Sequence, residues 1–196
     1  MFPSALKHLI DAFGKISGVG PKTALRYALH TAYFNRHDGA ALLRALQEVQ
    51  NTLHDCTVCF TIADAPLCHI CNATTRNKSI VCVVASPQEV ETIEKAGTYE
   101  GVYHVLQGLL SQAEGIDVAD IKIAELEKRI AAGGVSEIIL AMSPTVEGEI
   151  TAHYLQKKLK GLVKISRIAR GLPMGSLLEY MDDATIAEAL RDRKVS

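Results

Sequence analysis

The order of apolar and polar positions divides the chain into unlike parts. Leu6, Leu9, Ile10 and Phe13 recur at helical spacing and predict a short amphipathic helix. A Gly18-Val19-Gly20-Pro21 turn separates it from a second helix at about 22–33. Leu42, Leu46, Val49 and Leu53 fall at i, i+4, i+7 and i+11 and predict a third helix over about 39–54. The next stretch bears cysteines and is too polar and too brief for a core of its own. From residue 79 the pattern changes. Apolar runs at 79–85, 102–106, 136–142 and 162–168 alternate with helical stretches at about 86–96, 120–131 and 146–160, the order of a mostly parallel sheet covered by helices. Ser86-Pro87-Gln88-Glu89 sets a capping hydroxyl, a first-turn proline and a glutamate three residues on, a capping box directly after the first strand. Beyond Gly175 the tail carries Leu177, Leu178, Tyr180, Met181, Ile186 and Leu190, enough apolar surface to predict that it docks on this domain or on a neighbouring subunit. The expected fold class is α/β, with a helical region at 1–54, a cysteine module at 55–77, an α/β domain at 78–170 and a docking or oligomerisation segment at 171–196.

Composition narrows the class. Of 196 residues 48% are hydrophobic and 22% charged, which excludes wholesale disorder and a coiled coil. The first residues lack a basic segment followed by a long apolar stretch, and the apolar runs are strand-length, far short of the roughly 20 residues a spanning helix needs. A cytoplasmic protein with no membrane segment is expected. With 21 Lys+Arg against 22 Asp+Glu, the surface as a whole is not built to neutralise phosphate. The charges are unevenly placed, however. Residues 1–54 hold six cations (Lys7, Lys15, Lys22, Arg26, Arg36, Arg44) and three anions (Asp11, Asp38, Glu48), a balance of +3, while the rest of the chain carries −4. A local basic site remains open in the helical part.

Three motifs carry candidate chemistry. Cys56-x2-Cys59 and, eight residues on, Cys68-x2-Cys71 form two knuckles that can aim four thiolates at one tetrahedral zinc, a closed structural site with one ion per chain. A redox CxxC and plain core cysteines are the alternatives, and His54 and His69 lie close enough in sequence to replace a cysteine. Cys82, inside an apolar strand, reads as a buried thiol. The second motif is the glycine turn Gly18-Val19-Gly20 opening a helix that bears Lys22 and Arg26 four residues apart. Glycines let backbone approach a phosphate, the helix start presents unpaired N–H groups, and the two cations add charge without reading bases. It is not a P-loop, because that register puts Ile16 and Pro21 at the glycine positions. A ligand-free helical hairpin is the alternative. Such a hairpin is similar to the helix-hairpin-helix motif, which holds nucleic-acid backbone irrespective of sequence. The third is Glu147-Gly148-Glu149, two carboxylates at a strand-to-helix turn, suited to a magnesium ion, to an acidic patch for a protein, or simply to a helix start.

In order, these features resemble the RecR family of bacterial recombination mediators. The resemblance spans nearly the full length and includes Gly18-Val19-Gly20-Pro21-Lys22, Val81 to Pro87, Gly101 to Gly108, Pro144 to Glu149 followed by Thr151-Ala152, and Ile168 to Gly175. It implies a Toprim domain, a homo-oligomeric ring built from dimers (a tetramer), and a non-enzymatic role in DNA repair in the cytoplasm at the nucleoid. The family binds DNA (single strands, duplexes and junctions) and works with RecO, in some cases RecF, to load RecA onto single strands coated by their binding protein. Matching positions make Lys22 and Arg26, with Gly18 and Gly20, the DNA contacts and Glu147 the residue that meets RecO. One departure stands out. Catalytic Toprim domains end their first strand with a glutamate that holds magnesium, and here that position is Ala85. A complete magnesium site cannot be drawn; Glu89, one turn further on, is the candidate substitute, and a solvent-facing helix residue is the easier account of it. The rival expectation is a magnesium-dependent Toprim enzyme, of nuclease or primase type, using Glu89, Glu147 and Glu149.

Overall fold

In the computed structural model, residues 2–169, 172, 175, 177–191 and 193 are described, and they divide after Leu53 into two units. The first holds α1 (Ser4–Gly14), α2 (Pro21–Ala32) and α3 (Arg36–Thr52). Ala24 and Ala28 let α2 press against α1 and are almost wholly buried, and Phe13 meets Tyr27 edge to face at 5.8 Å. α3 begins three residues before the apolar pattern does, because Asn35 caps it by accepting the Asp38 N–H at 2.9 Å. No residue of α3 is buried, and Leu42, Leu43, Leu46 and Val49 all lie exposed.

The second unit starts with a two-stranded antiparallel ribbon, β1 (His54–Asp55) and β2 (Ile62–Ala63), and the one-turn helix α4 (His69–Asn72). Then come β3 (Asn77–Val84), α5 (Pro87–Ala96), β4 (Gly101–Val105), α6 (Ile123–Ala131), β5 (Glu137–Leu140), α7 (Val146–Leu159) and β6 (Lys164–Arg167). The four long strands form a parallel sheet in the order β4-β3-β5-β6. This is the fold class expected from the alternating pattern. The second half of β3 and nearly all of β4 are apolar because they are covered on both faces, and Val81, Val83, Val84, Val102 and Val105 are sealed from solvent. The four knuckle cysteines belong to the same core. β5 is shorter than its apolar run: pairing stops at Leu140, while Ala141 and Met142 stay buried in the turn.

Two polar devices set the turns. Arg76 forms an ion pair with Glu94 on α5 and donates from Nη1 to the Tyr99 carbonyl at 2.9 Å; the Tyr103 hydroxyl donates to Glu94 at 2.6 Å. Burial raises the Glu94 pKa, but these bonds from Arg76 and Tyr103 outweigh it and hold the carboxyl below its ordinary value. In β4, His104 is wholly buried, with Nε2 at 2.7 Å from the Lys122 carbonyl and Phe60 packed edge to face at 5.3 Å. Burial pushes its imidazole down to about 4, so it packs as a neutral ring.

After β6 the described tail forms a short 3-10 turn (Leu178–Tyr180) and α8 (Asp183–Arg191). Leu177, Leu178, Tyr180 and Leu190 remain exposed, so of the two docking surfaces expected for the tail, this domain does not cover them. Of the stretch Ile168 to Gly175, Arg170, Gly171, Pro173 and Met174 lie outside the described residues.

Gly148, in the first turn of α7, is fully packed: a Cβ there would overlap the Ser143 carbonyl oxygen. Gly148→Ala is expected to lower stability by about 1–3 kcal/mol, the usual range for forced overpacking, read from the urea midpoint. An unchanged midpoint would mean that the Ser143 turn yields freely.

Candidate zinc centre, helical hairpin and acidic cleft

The two knuckles converge. One ligand atom from each of Cys56, Cys59, Cys68 and Cys71 lies within 4.8 Å of the others, and all four side chains are buried. Among the described residues no other group of three or more His, Cys, Asp or Glu side chains comes together in this way, and His54 and His69 stay exposed outside it. Cys59 and Cys68 are 3.6 Å apart, close to the ~3.8 Å edge of a tetrahedron with Zn–S bonds of ~2.3 Å. Local chain geometry does the aiming. Phe60, at φ 62°, turns the chain out of the first knuckle, and Cys68 caps α4 by accepting the Cys71 N–H.

Electrostatics favours a cation at this point. The Cys59 thiol is pushed far above its ordinary range by its hydrogen bond with Cys71 and by burial, since crowded thiols cannot all ionise unaided. Burial also raises Cys56, yet the backbone N–H groups of Cys68, Cys59 and Val58 overcome it and bring that thiol to about 7. A divalent ion relieves the repulsion and takes all four sulfurs as thiolates. The donor set fits a structural zinc, held by Cys56, Cys59, Cys68 and Cys71, with no position left for a substrate.

In the first unit, Gly18 sits at φ +78° in the turn, a conformation open to glycine, and Gly20 is the N-cap residue of α2 with Pro21 at the first helical position. Lys22 lies exposed in the first turn of α2, and Arg26 is exposed one turn later, its guanidinium 5.4 Å from the centre of the Tyr27 ring. Backbone N–H groups and both cations are therefore presented from one helix start.

The third candidate is at the carboxyl ends of the strands. A cleft of approximately 640 Å³ is lined by Ala85, Gln107, Leu109, Glu114 and Glu147, with Asp55 and Ile62 from the ribbon. The three carboxyls expected to act together are separated by their partners. Glu89 is half-buried, not solvent-facing: one oxygen accepts the N–H groups of Ala85 at 2.6 Å and Ser86 at 3.1 Å, the capping box that the sequence predicts. Glu149 meets Arg167 of β6 at 2.6 Å. Glu147, on the same turn of α7, lines the cleft. Sequence reasoning missed Arg167, Asp55, Glu114 and Ile62, which no local pattern connects to this turn. The packing of Phe60 had a signal, its place directly after Cys59.

Four family profiles match consecutive stretches of the chain: the RecR helix-hairpin-helix over residues 6–50, the RecR four-cysteine zinc finger domain over 53–73, the Toprim domain over 79–169, and the RecR C-terminal segment over 171–194. The recombination protein RecR of Chlorobaculum tepidum is 44% identical over 195 residues, 96% of each chain. That of Dehalococcoides mccartyi is 42% identical over 191 residues, covering 97% of this chain and 94% of the relative. For the four-cysteine centre, metal analysis is expected to find one zinc per chain. Because such binding is worth on the order of 10–16 kcal/mol, a strong chelator should unfold the segment around 55–73, seen as loss of protection in hydrogen exchange; full protection after metal removal would refute a structural ion. With all four segments present in sequence and near full-length identity to two recombination proteins, the chain belongs to the RecR family.

Proposed function

We propose that the protein is a recombination mediator in DNA repair: it binds DNA backbone without reading sequence and, with RecO and in some settings RecF, promotes RecA loading onto single-stranded DNA coated by its binding protein. The observation that carries this reading is the exposed start of α2, with Gly18, Gly20, Lys22 and Arg26, in a chain so similar to proteins named for recombination. Single strands, duplexes and junctions all offer the phosphate that such a site would hold. A balance of +3 over residues 1–54 makes one copy a weak binder, and several copies along one strand a tight one. Apolar side chains left exposed on α3 and on the tail support self-association into dimers and a tetrameric ring. No described helix is long and apolar enough to cross a membrane, and the setting proposed is the cytoplasm, at the nucleoid.

The role is non-enzymatic. Ala85 replaces the strand-end carboxylate, Glu89 is bound to two backbone N–H groups, and Glu149 is paired with Arg167, an arrangement that supports turn-holding duties over magnesium chemistry. Glu147 and the cleft beside it are the surface proposed for RecO. The domain limits of the reading are 1–54, 55–77, 78–170 and 171–196.

Recombinase loading on protein-coated single strands, with and without RecO, separates this reading from its rival: stimulation by RecO supports a mediator, and magnesium-dependent cleavage or synthesis by the protein alone would overturn it. Replacing Lys22 and Arg26 together by alanine should weaken DNA binding regardless of sequence and lower the log–log salt slope by roughly 0.7 to 0.9 for each phosphate no longer neutralised. Unchanged affinity would remove the site. Glu147→Ala should leave DNA affinity intact while weakening the RecO complex in a pull-down or titration. Parallel loss of both would argue that the variant misfolds and that Glu147 has no selective role.

A further inference from the structure

Four thiolates around one divalent ion leave a net charge of about −2. Here that charge falls among side chains no more than 6% exposed. A buried charge of this size needs opposite charge or hydrogen-bond donors close by. Backbone N–H groups supply part of the need: Cys68 donates to the Cys56 sulfur, and Cys71 to the Cys68 sulfur, each at 3.4 Å.

A cation stands on the sheet edge that the knuckle meets. Leu106 donates its N–H to Val84 on the β3 side of β4, so the peptide groups of Tyr103 and Val105 point the other way, to the open edge of the sheet. At Val105 that edge is met by the zinc knuckle, whose Cys59 carbonyl accepts the Val105 N–H at 2.8 Å. At Tyr103, two residues or ~7 Å along the strand, it is met by Arg129 from the last turn of α6, which donates from Nη1 to the Tyr103 carbonyl at 2.7 Å. Arg129 is partly buried, and among the described residues no ion pair involves it. Burial lowers its pKa, while the thiols of Cys71, Cys59 and Cys56 act in the opposite sense. Lys122, the other cation near the knuckle, lies with Nζ 5.5 Å from the centre of the Phe60 ring.

We propose that Arg129 is the countercharge of the zinc centre, a positioning residue that stabilises the four thiolates from the Toprim side and so sets how tightly the ion is held. The partly buried cation, with no carboxylate partner among the described residues, and the buried thiolates share one edge of β4. This ties metal affinity to the docking of α6, a helix more than fifty residues beyond the last ligand in sequence.

The test uses the full chain. Arg129→Met removes the charge at similar length, Arg129→Lys keeps it, and Arg129→Gln keeps an N–H for the Tyr103 carbonyl. Zinc affinity is read by competition with a metallochromic chelator, and the metal shell by the thiolate-to-cobalt absorption of the cobalt(II)-loaded protein. Loss of an outer partner of a metal site weakens binding roughly ten- to hundred-fold. Arg129→Met and Arg129→Gln should both show that loss while reaching the wild-type cobalt spectrum at saturation, and Arg129→Lys should recover most of the affinity. A Met variant that binds zinc as tightly as wild type overturns the proposal. So does a Lys variant as impaired as Met, which would assign Arg129 to the shape of its bond with Tyr103 instead of its charge. A wild-type chain that takes up no zinc would fail earlier, on the four-cysteine reading itself.

Discussion

An open sheet edge leaves every second peptide group of its strand without a partner, and closing the edge of β4 is the constraint on which much of the second unit depends. No strand does it. The Cys59 carbonyl takes the Val105 N–H, Arg129 takes the Tyr103 carbonyl, Phe60 covers His104, and the Gln107 side chain donates to the Phe60 carbonyl at 3.1 Å. A metal knuckle suits this duty because the ion fixes a short polar segment that could not bury enough apolar surface to fold alone. Cys56, Cys59, Cys68 and Cys71 in turn become part of the core that Val81, Val105 and Leu126 build, so metal and sheet stabilise each other.

At the carboxyl ends of the strands the constraint is space. Gly148 lies under the Ser143 carbonyl, and a side chain at Gly108 would press on Ile121, so both positions keep the turns tight where β3, β4 and β5 end. The acidic groups of this region are put to structural use: Glu89 holds the end of β3 and the start of α5, and Glu149 ties α7 to β6 through Arg167. What faces the cleft is then a mixed surface of Ile62, Leu109, Asp55, Glu114 and Glu147, contributed by the ribbon, the loop after β4 and the first turn of α7. Gln107 lines this cleft and also bonds the knuckle at Phe60, which gives the metal centre a direct mechanical link to the cleft wall.

Much of this is legible in the chain. The two knuckles are readable because four cysteines at x2, x8 and x2 spacing admit few other uses, and the capping box because Ser86, Pro87 and Glu89 act within one turn. The helical hairpin is readable from Gly18 and Gly20 beside two regular apolar stripes. Glu89 is harder: as a lone acid on a helix it could face solvent, and its bonds to the N–H groups of Ala85 and Ser86 show it turned back to the end of β3 instead. The start of α3 escapes the pattern for a similar reason, since the apolar stripe marks the packed length of a helix and the Asn35 cap marks its beginning.

The sequence by itself determined the order of modules, the parallel α/β class and the four cysteines that come together, because periodicity, caps and knuckles are interactions among residues a few positions apart. The tertiary structure alone decided what closes β4, which cation faces the thiolates and which carboxylates remain at the cleft. Those depend on pairs such as Arg129 with Tyr103, Arg167 with Glu149 and Gln107 with Phe60, distant in sequence and joined only once the sheet has set its strand order. Local pattern carries no trace of such pairs, since nothing among either partner's neighbours along the chain points to the other.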